Sequence, residues 1–301
     1  MPKLKVLIIV GGGIYGCVPA RFLAHLDVVP GKKPLDGVDC ISGCSIGGIL
    51  ALTYASGAAF DVVDKLFQDR AEDCFTKRAA AYLNPLACPT YRDDKLDEVL
   101  EDLLGDFRVD QIRGVYPNLD VFVPALNITD DKYKVFNNIA DDDLQVKLKD
   151  IAGCTAAAPS YFGGREFQGK CLIDGGLIEV APLLTTVTGL RSMRDVKFED
   201  MDVLMLGTGR DIDEEPITFE KYQSMTLLGL ATNVIVPYVT LSNELATVYW
   251  GNHMGFNSFT YYNPVTHNGQ LADVDAVPDC IKQCDEHADE FRQVWKDWIE
   301  K

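Results

Sequence analysis

The chain has 301 residues, 47% of them apolar and 24% charged, the proportions of an ordinary globular fold with length enough to bury a large core. With 28 basic against 45 acidic side chains the net charge is −17, which argues against nucleic acid as a partner and against adsorption to anionic membranes by charge alone. Nine cysteines, an odd number without C-x-x-C pairs, fit reduced thiols in a cytoplasmic protein better than a disulfide or zinc framework.

The opening Met-Pro-Lys-Leu-Lys leads straight into the apolar run Val6–Val10. That run is too short for a signal-peptide core or a membrane span and has the character of a central strand covered on both faces. Gly11-Gly12-Gly13-Ile14-Tyr15-Gly16 follows, then a helix through about Leu26. The spacing matches the dinucleotide fingerprint G-x-G-x-x-G, but that fold wants an acidic residue at the end of its second strand. Here the second strand ends in Ser42-Gly43 and Asp39 stands at its beginning, so the dinucleotide reading fails. A glycine-rich helix N-terminus remains, with backbone N–H groups turned toward an anion, phosphate or oxyanion alike.

Residues 30–37 are a loop by composition. Val38–Ser42 reads as a short strand and Ile46–Ala55 as a helix of small and apolar residues. Between them Gly43-Cys44-Ser45-Ile46-Gly47 is a G-x-S-x-G at a strand-to-helix turn, the setting in which that motif presents a nucleophile. So tight a turn demands residues without side chains two before and two after the serine. Ser45 is then expected in a strained conformation, its hydroxyl exposed at a helix N-terminus that favours negative charge. The plain alternative is a simple strand–turn–helix connection in which the serine caps the helix.

Helical spacing marks 60–77 and 95–104, with a proline-bearing connection at 84–90. Val121–Leu126 reads as a strand and Tyr133–Phe136 as its partner. Asp141-Asp142-Asp143 has the look of a metal site, but the better reading is the start of a helix over 142–152, where carboxylates complement the dipole. Cys154–Phe162 comes next, then Cys171-Leu-Ile-Asp174-Gly175-Gly176, a carboxylate at a buried strand end with backbone able to approach it closely. An Asp-Gly hairpin turn is the ordinary alternative there. Val203–Leu206 before Gly-Thr-Gly209 is one more central strand. The stretch 211–224 reads as polar loop, 225–250 as a helix or two, and Ile281–Trp298 as an amphipathic C-terminal helix. No repeat or low-complexity linker divides the chain, so residues 1–301 are expected to form a single domain with a C-terminal helical segment at about 274–301.

Gly11–Gly16, Gly43–Gly47, Ala156-Ala-Ala-Pro-Ser-Tyr-Phe162, Asp174-Gly-Gly176 and Leu206-Gly-Thr-Gly209 together, and in this order, resemble the patatin-like phospholipase family. The tail Tyr261-Tyr-Asn-Pro with Leu271-Ala-Asp-Val-Asp-Ala276 is similar to a plant-patatin C-terminal segment. The resemblance implies an α/β fold, a three-layer α/β/α sandwich with a mainly parallel central sheet. It also implies a fatty-acyl ester hydrolase of the lipase or phospholipase A type, with Ser45 as nucleophile, Asp174 as its base and the amides of Gly11, Gly12 and Gly13 as the oxyanion hole. Gly43, Gly47, Gly175 and Gly176 are the glycines that support those motifs. Val10 and Tyr15 stand where the family usually has Asp and a basic residue, and Val180-Ala181 where it often has asparagines.

The chemistry is coherent on its own terms. A serine hydroxyl is a poor nucleophile until a neighbouring base takes its proton, and a carboxylate serves once burial raises its proton affinity. Such a dyad calls for no cofactor and no metal. Its partners are a lipid acyl ester and a transient membrane or lipid-surface contact, with no transmembrane segment. Two rivals stand beside it. One is a Ser-His-Asp esterase using His253 or His267; the other is a lipid-binding protein that keeps the fold without turnover.

Overall fold

The run Val6–Val10 lies at the middle of the sheet because both of its faces are covered. The computed structural model describes residues 3–26, 32–79, 81, 88–211, 218–226, 236–267 and 271–301. Strand β1 (Leu4–Ile9) pairs in parallel with β2 (Cys40–Gly43) on one side and β7 (Met201–Leu206) on the other. Outside β2 lies β3 (Asp120–Asn127) and outside β7 lies β9 (Ser258–Tyr262), both parallel again. Strands β4 (Lys132–Asn137), β5 (Arg165–Phe167) and β6 (Lys170–Asp174) extend the sheet antiparallel around β3. A separate short pairing joins β8 (Arg210–Asp211) to β10 (Thr266–His267).

Successive side chains of a strand point to opposite faces, and β1 divides accordingly. Leu7 and Ile9 enter one core; Val6, Ile8 and Val10 enter the other. All five are fully buried, each contributing about 1.5–3 kcal/mol of transfer free energy. The first face is covered by α1 (Cys17–Ala24), α2 (Ile46–Ala55), α3 (Phe60–Cys74), α4 (Asp93–Leu104), α5 (Ile112–Val115) and α6 (Leu148–Thr155). The C-terminal α11 (Val277–Glu286) and α12 (Ala288–Ile299) complete that layer through Cys280, Cys284, Phe291 and Trp298. On the second face lie α8 (Leu183–Arg194), with Leu183, Val187 and Leu190, and α10 (Val236–His253), with Val248. The arrangement is the three-layer α/β/α sandwich.

Register around β3 brings distant parts of the chain together. β4 runs along one edge, from Phe122 to Asn127. The opposite edge is shared: β2 occupies Asp120 to Phe122, and β6 occupies Ala125 to Asn127. The turn leaving β2 and the carboxylate end of β6 therefore meet head to head on one strand.

Some elements differ from the sequence expectation. Asp141–Asp143 forms a single 3₁₀ turn, and the helix expected over 142–152 begins only at Leu148. Asp143 turns inward, where its carboxylate accepts from Lys134 Nζ at 2.6 Å and the Asn137 amide at 3.3 Å, a structural role and not the start of a helix. The stretch 211–224 is not all loop: α9 (Phe219–Ser224) forms there, capped by Thr218, whose hydroxyl accepts from the Lys221 amide, while 212–217 lie outside the described residues. Of the helical stretch expected over 225–250, residues 227–235 also lie outside them. The C-terminal helix is two helices, interrupted at His287 with φ −98 and ψ 7. Of the loops expected at 30–37 and 84–90, residues 30–31 and 84–87 lie outside the described residues. All nine cysteines are free thiols. Among the described residues no helix is long and apolar enough to cross a membrane.

Candidate active site

Ser45 stands between β2 and α2 with φ 55 and ψ −127, a conformation that costs a non-glycine residue about 1–3 kcal/mol. The flanking glycines allow it. A Cβ at Gly43 would lie 2.1 Å from the Gly47 carbonyl oxygen, and one at Gly47 would lie 2.2 Å from that of Ile9. The Ser45 carbonyl accepts the Ile49 amide at 3.0 Å, starting α2, and the Ser45 amide donates to Thr155 Oγ1, also at 3.0 Å. The serine side chain makes no cap to the helix, so the simple capping alternative does not hold.

Asp174 ends β6 opposite Ala125 and is 5% exposed. Its carboxylate accepts from the Gly176 amide at 2.7 Å and from the Cys44 thiol at 3.6 Å, and the Ser45 hydroxyl lies beside it. Burial pushes its pKa up from 3.8 to about 6; the neighbouring Ser45 hydroxyl first, then the Gly176 amide and the Cys44 thiol, pull the other way and lose. No hairpin follows. The chain turns instead into α7 (Gly176–Glu179), and a Cβ at Gly175 would stand 2.7 Å from the Pro124 carbonyl oxygen, so this turn lies flat against β3. Cys44, the residue before the elbow serine, turns into the protein onto Asp174. Burial, with the Asp174 charge behind it, pushes the thiol well up and keeps it a neutral donor.

The glycine loop lies against the elbow: a Cβ at Gly11 would come within 3.2 Å of Ser45 Cβ and 2.9 Å of the Cys44 carbonyl oxygen. Its three amides are not equivalent. Gly11 N–H donates to the Val180 carbonyl at 2.9 Å, so the expectation that Gly11 serves as an oxyanion donor is corrected by the strand-like bond it already makes. Among the described residues the amides of Gly12 and Gly13 have no such partner. Gly13 has φ 58 and packs on the Leu271 carbonyl, which accepts the next amide, Ile14 N–H, at 2.8 Å. The Ile46 amide, first in α2, adds another N–H that the helix itself cannot pair; sequence reasoning passed over it although its place after the serine marks it.

Ser45, Asp174 and Gly12 open onto a cavity of about 430 Å³. Its walls are almost wholly apolar; α3 and α4 contribute Leu66, Phe67, Leu96, Val99, Leu100 and Leu103, and the glycine loop, α2 and the stretch 156–162 close the rest. Those helices were legible as amphipathic, but their apolar faces line a cavity as well as the core. Tyr15, at the family's basic position, is buried and stacks on His267 with centroids 3.6 Å apart. His253 Nδ1 meets the Tyr249 carbonyl at 2.7 Å on the surface of α10. Among the described residues no group of three His, Cys, Asp or Glu side chains is arranged to hold a metal ion.

The profile of the family described as Patatin-like phospholipase matches residues 7–187, which include the glycine loop, the elbow and the Asp174 turn. The chain belongs to the patatin-like phospholipase family. Among curated relatives it is similar to a cGAMP-activated phospholipase of Escherichia coli (strain TW11681), 28% identical over 91% of this chain and 83% of that protein. It is also similar to Patatin-07 of Solanum tuberosum, 28% identical over 83% of this chain and 73% of the relative. VipD from Legionella pneumophila aligns with a TM-score of 0.44 at 11% identity, over 94% of this chain and 67% of its own. Human GIVD cytosolic phospholipase A2 aligns at 0.43 and 11%, over 69% and 43%. Membership in this family supports a hydrolase of lipid acyl esters.

Proposed function

We propose that the chain is a serine acyl hydrolase that cleaves fatty-acyl esters of membrane lipids through a Ser45–Asp174 dyad. One observation carries the reading: the Ser45 hydroxyl lies beside a buried carboxylate whose pKa stands at about 6, both at the wall of one apolar cavity. A base near neutrality takes the serine proton readily and is itself ionised at pH 7. As Ser45 Oγ attacks the ester carbonyl, Asp174 takes its proton. The carbonyl oxygen becomes an oxyanion facing the amides of Gly12 and Gly13, with Ile46 close by in the chain. Each such donor is typically worth about 10²–10³-fold in rate. Asp174 then protonates the departing alcohol, and water, deprotonated by the same carboxylate, releases the fatty acid from the acyl-serine.

The acyl chain lies in the α3–α4 cavity, where each methylene contributes about 0.8 kcal/mol. The bacterial relative's name supports a phospholipid ester as the substrate class. The mechanism asks for neither metal nor cofactor, and the proposal includes a cytoplasmic protein that meets lipid surfaces transiently. A fluorophosphonate probe tests it. The reagent should modify Ser45, located by mass spectrometry, and Ser45→Ala should abolish both labelling and hydrolysis of p-nitrophenyl esters with the far-UV circular dichroism unchanged. Labelling at another serine, or full activity in the variant, rejects the assignment.

A further inference from the structure

Thr155 ends α6 within Cys154–Phe162, the stretch whose role the dyad leaves unassigned, and its side chain is fully buried. Its hydroxyl accepts the Ser45 amide at 3.0 Å and donates to the Pro124 carbonyl at 2.7 Å. Cys44 Sγ, at 3.9 Å, is a far weaker acceptor than that carbonyl. The methyl group does something different: it fills the space beside Gly48, where a Cβ would lie 2.8 Å from it. Pro124 immediately precedes Ala125, the residue in register with Asp174, and Gly175 backs onto the same Pro124 carbonyl. One hydroxyl thus joins the backbone of Ser45 to the point on β3 beside which Asp174 is held.

We infer that Thr155 is a positioning residue: its hydroxyl holds Ser45 in the positive-φ conformation and sets the reach from the serine hydroxyl to Asp174. The inference rests on the dyad proposed above. A strained residue keeps its conformation only when its surroundings over-determine it, and the Ser45 amide, outside the regular pairing of β2 and α2, donates its bond to Thr155 Oγ1. Displacement of a reacting group by a fraction of an ångström is costly in rate even when the fold is intact.

Thr155→Val keeps the methyl and removes the hydroxyl; Thr155→Ser does the reverse. Three quantities are measured on each and on wild type: kcat and KM for p-nitrophenyl butyrate, the second-order rate of fluorophosphonate labelling at Ser45, and amide hydrogen exchange at Ser45 resolved by fragmentation mass spectrometry. Thr155→Val should lower kcat and the labelling rate by about 10–100-fold with KM within about twofold, and should speed exchange at Ser45 by about tenfold or more. Thr155→Ser should stay within about threefold of wild type throughout. Equal labelling and exchange in Thr155→Val overturn the inference; so does a Thr155→Ser variant as impaired as Thr155→Val, since packing of the methyl would then be the cause. Rapid exchange at Ser45 in wild type overturns it too, whether or not Thr155→Val folds. A wild type that resists labelling rejects the hydrolase reading, whereas the exchange pattern still decides whether Thr155 holds Ser45.

Discussion

Asp174→Asn should move activity and stability in opposite directions. The carboxyl is 5% exposed and its pKa is about 6 against 3.8 for a free aspartate. At about 1.36 kcal/mol per pKa unit, ionising it in the folded chain costs about 3 kcal/mol relative to the unfolded one. The sign follows from proton binding. Below about pH 4 both states hold the proton and the stability associated with the neutral group is fully present; between about pH 4 and 6 the unfolded chain releases its proton while the folded chain keeps it, and that stability is lost. Asparagine is neutral at every pH, and its carbonyl can still accept the Gly176 amide. The variant should therefore match wild type within about 0.5 kcal/mol at pH 4 and exceed it by about 1–3 kcal/mol at pH 8, the upper figure applying if the new NH₂ is fully paired. Urea unfolding followed by circular dichroism at the two pH values reads the difference. Ester hydrolysis should fall about 10³-fold or more, because an amide cannot accept the serine proton. A stability difference that is the same at both pH values refutes the burial argument, and retained activity refutes the base.

The same carboxyl sets the pH profile: kcat/KM for an uncharged ester should rise as the pH passes through about 6 and then level off, since only the ionised form accepts a proton. A limb near pH 4 instead would show an ordinary, hydrated aspartate. Leu103, half-buried and lining the cavity from α4, offers a way to shorten the acyl site. Leu103→Trp should lower hydrolysis of a sixteen-carbon ester about 10–100-fold while leaving a two-carbon ester within about threefold, the effect of excluding a few methylenes. Equal loss on both esters would mean that the chain does not bind between α3 and α4.

Features that depend on the local backbone could be read directly from residue order. Val6–Val10 is apolar at every position because β1 is covered on both faces, and Gly43 and Gly47 flank Ser45 because carbonyl oxygens stand where their side chains would be. The two glycines after Asp174 likewise mark backbone packed against β3 and against the carboxylate itself. Other features needed the tertiary structure. Ser45 and Asp174 meet because β2 and β6 share one edge of β3, a register that neither strand's own sequence specifies. The pKa of Asp174 is a property of its burial, and Gly11 differs from Gly12 and Gly13 only because the Val180 carbonyl lies beside it. In the chain Thr155 is one residue in a run of small ones; the fold places its hydroxyl between Ser45 and Pro124. Backbone sterics act between near neighbours and leave their trace in residue type and spacing; desolvation, register and hydrogen bonding act between segments far apart in the chain, so folding alone decides which partners they join.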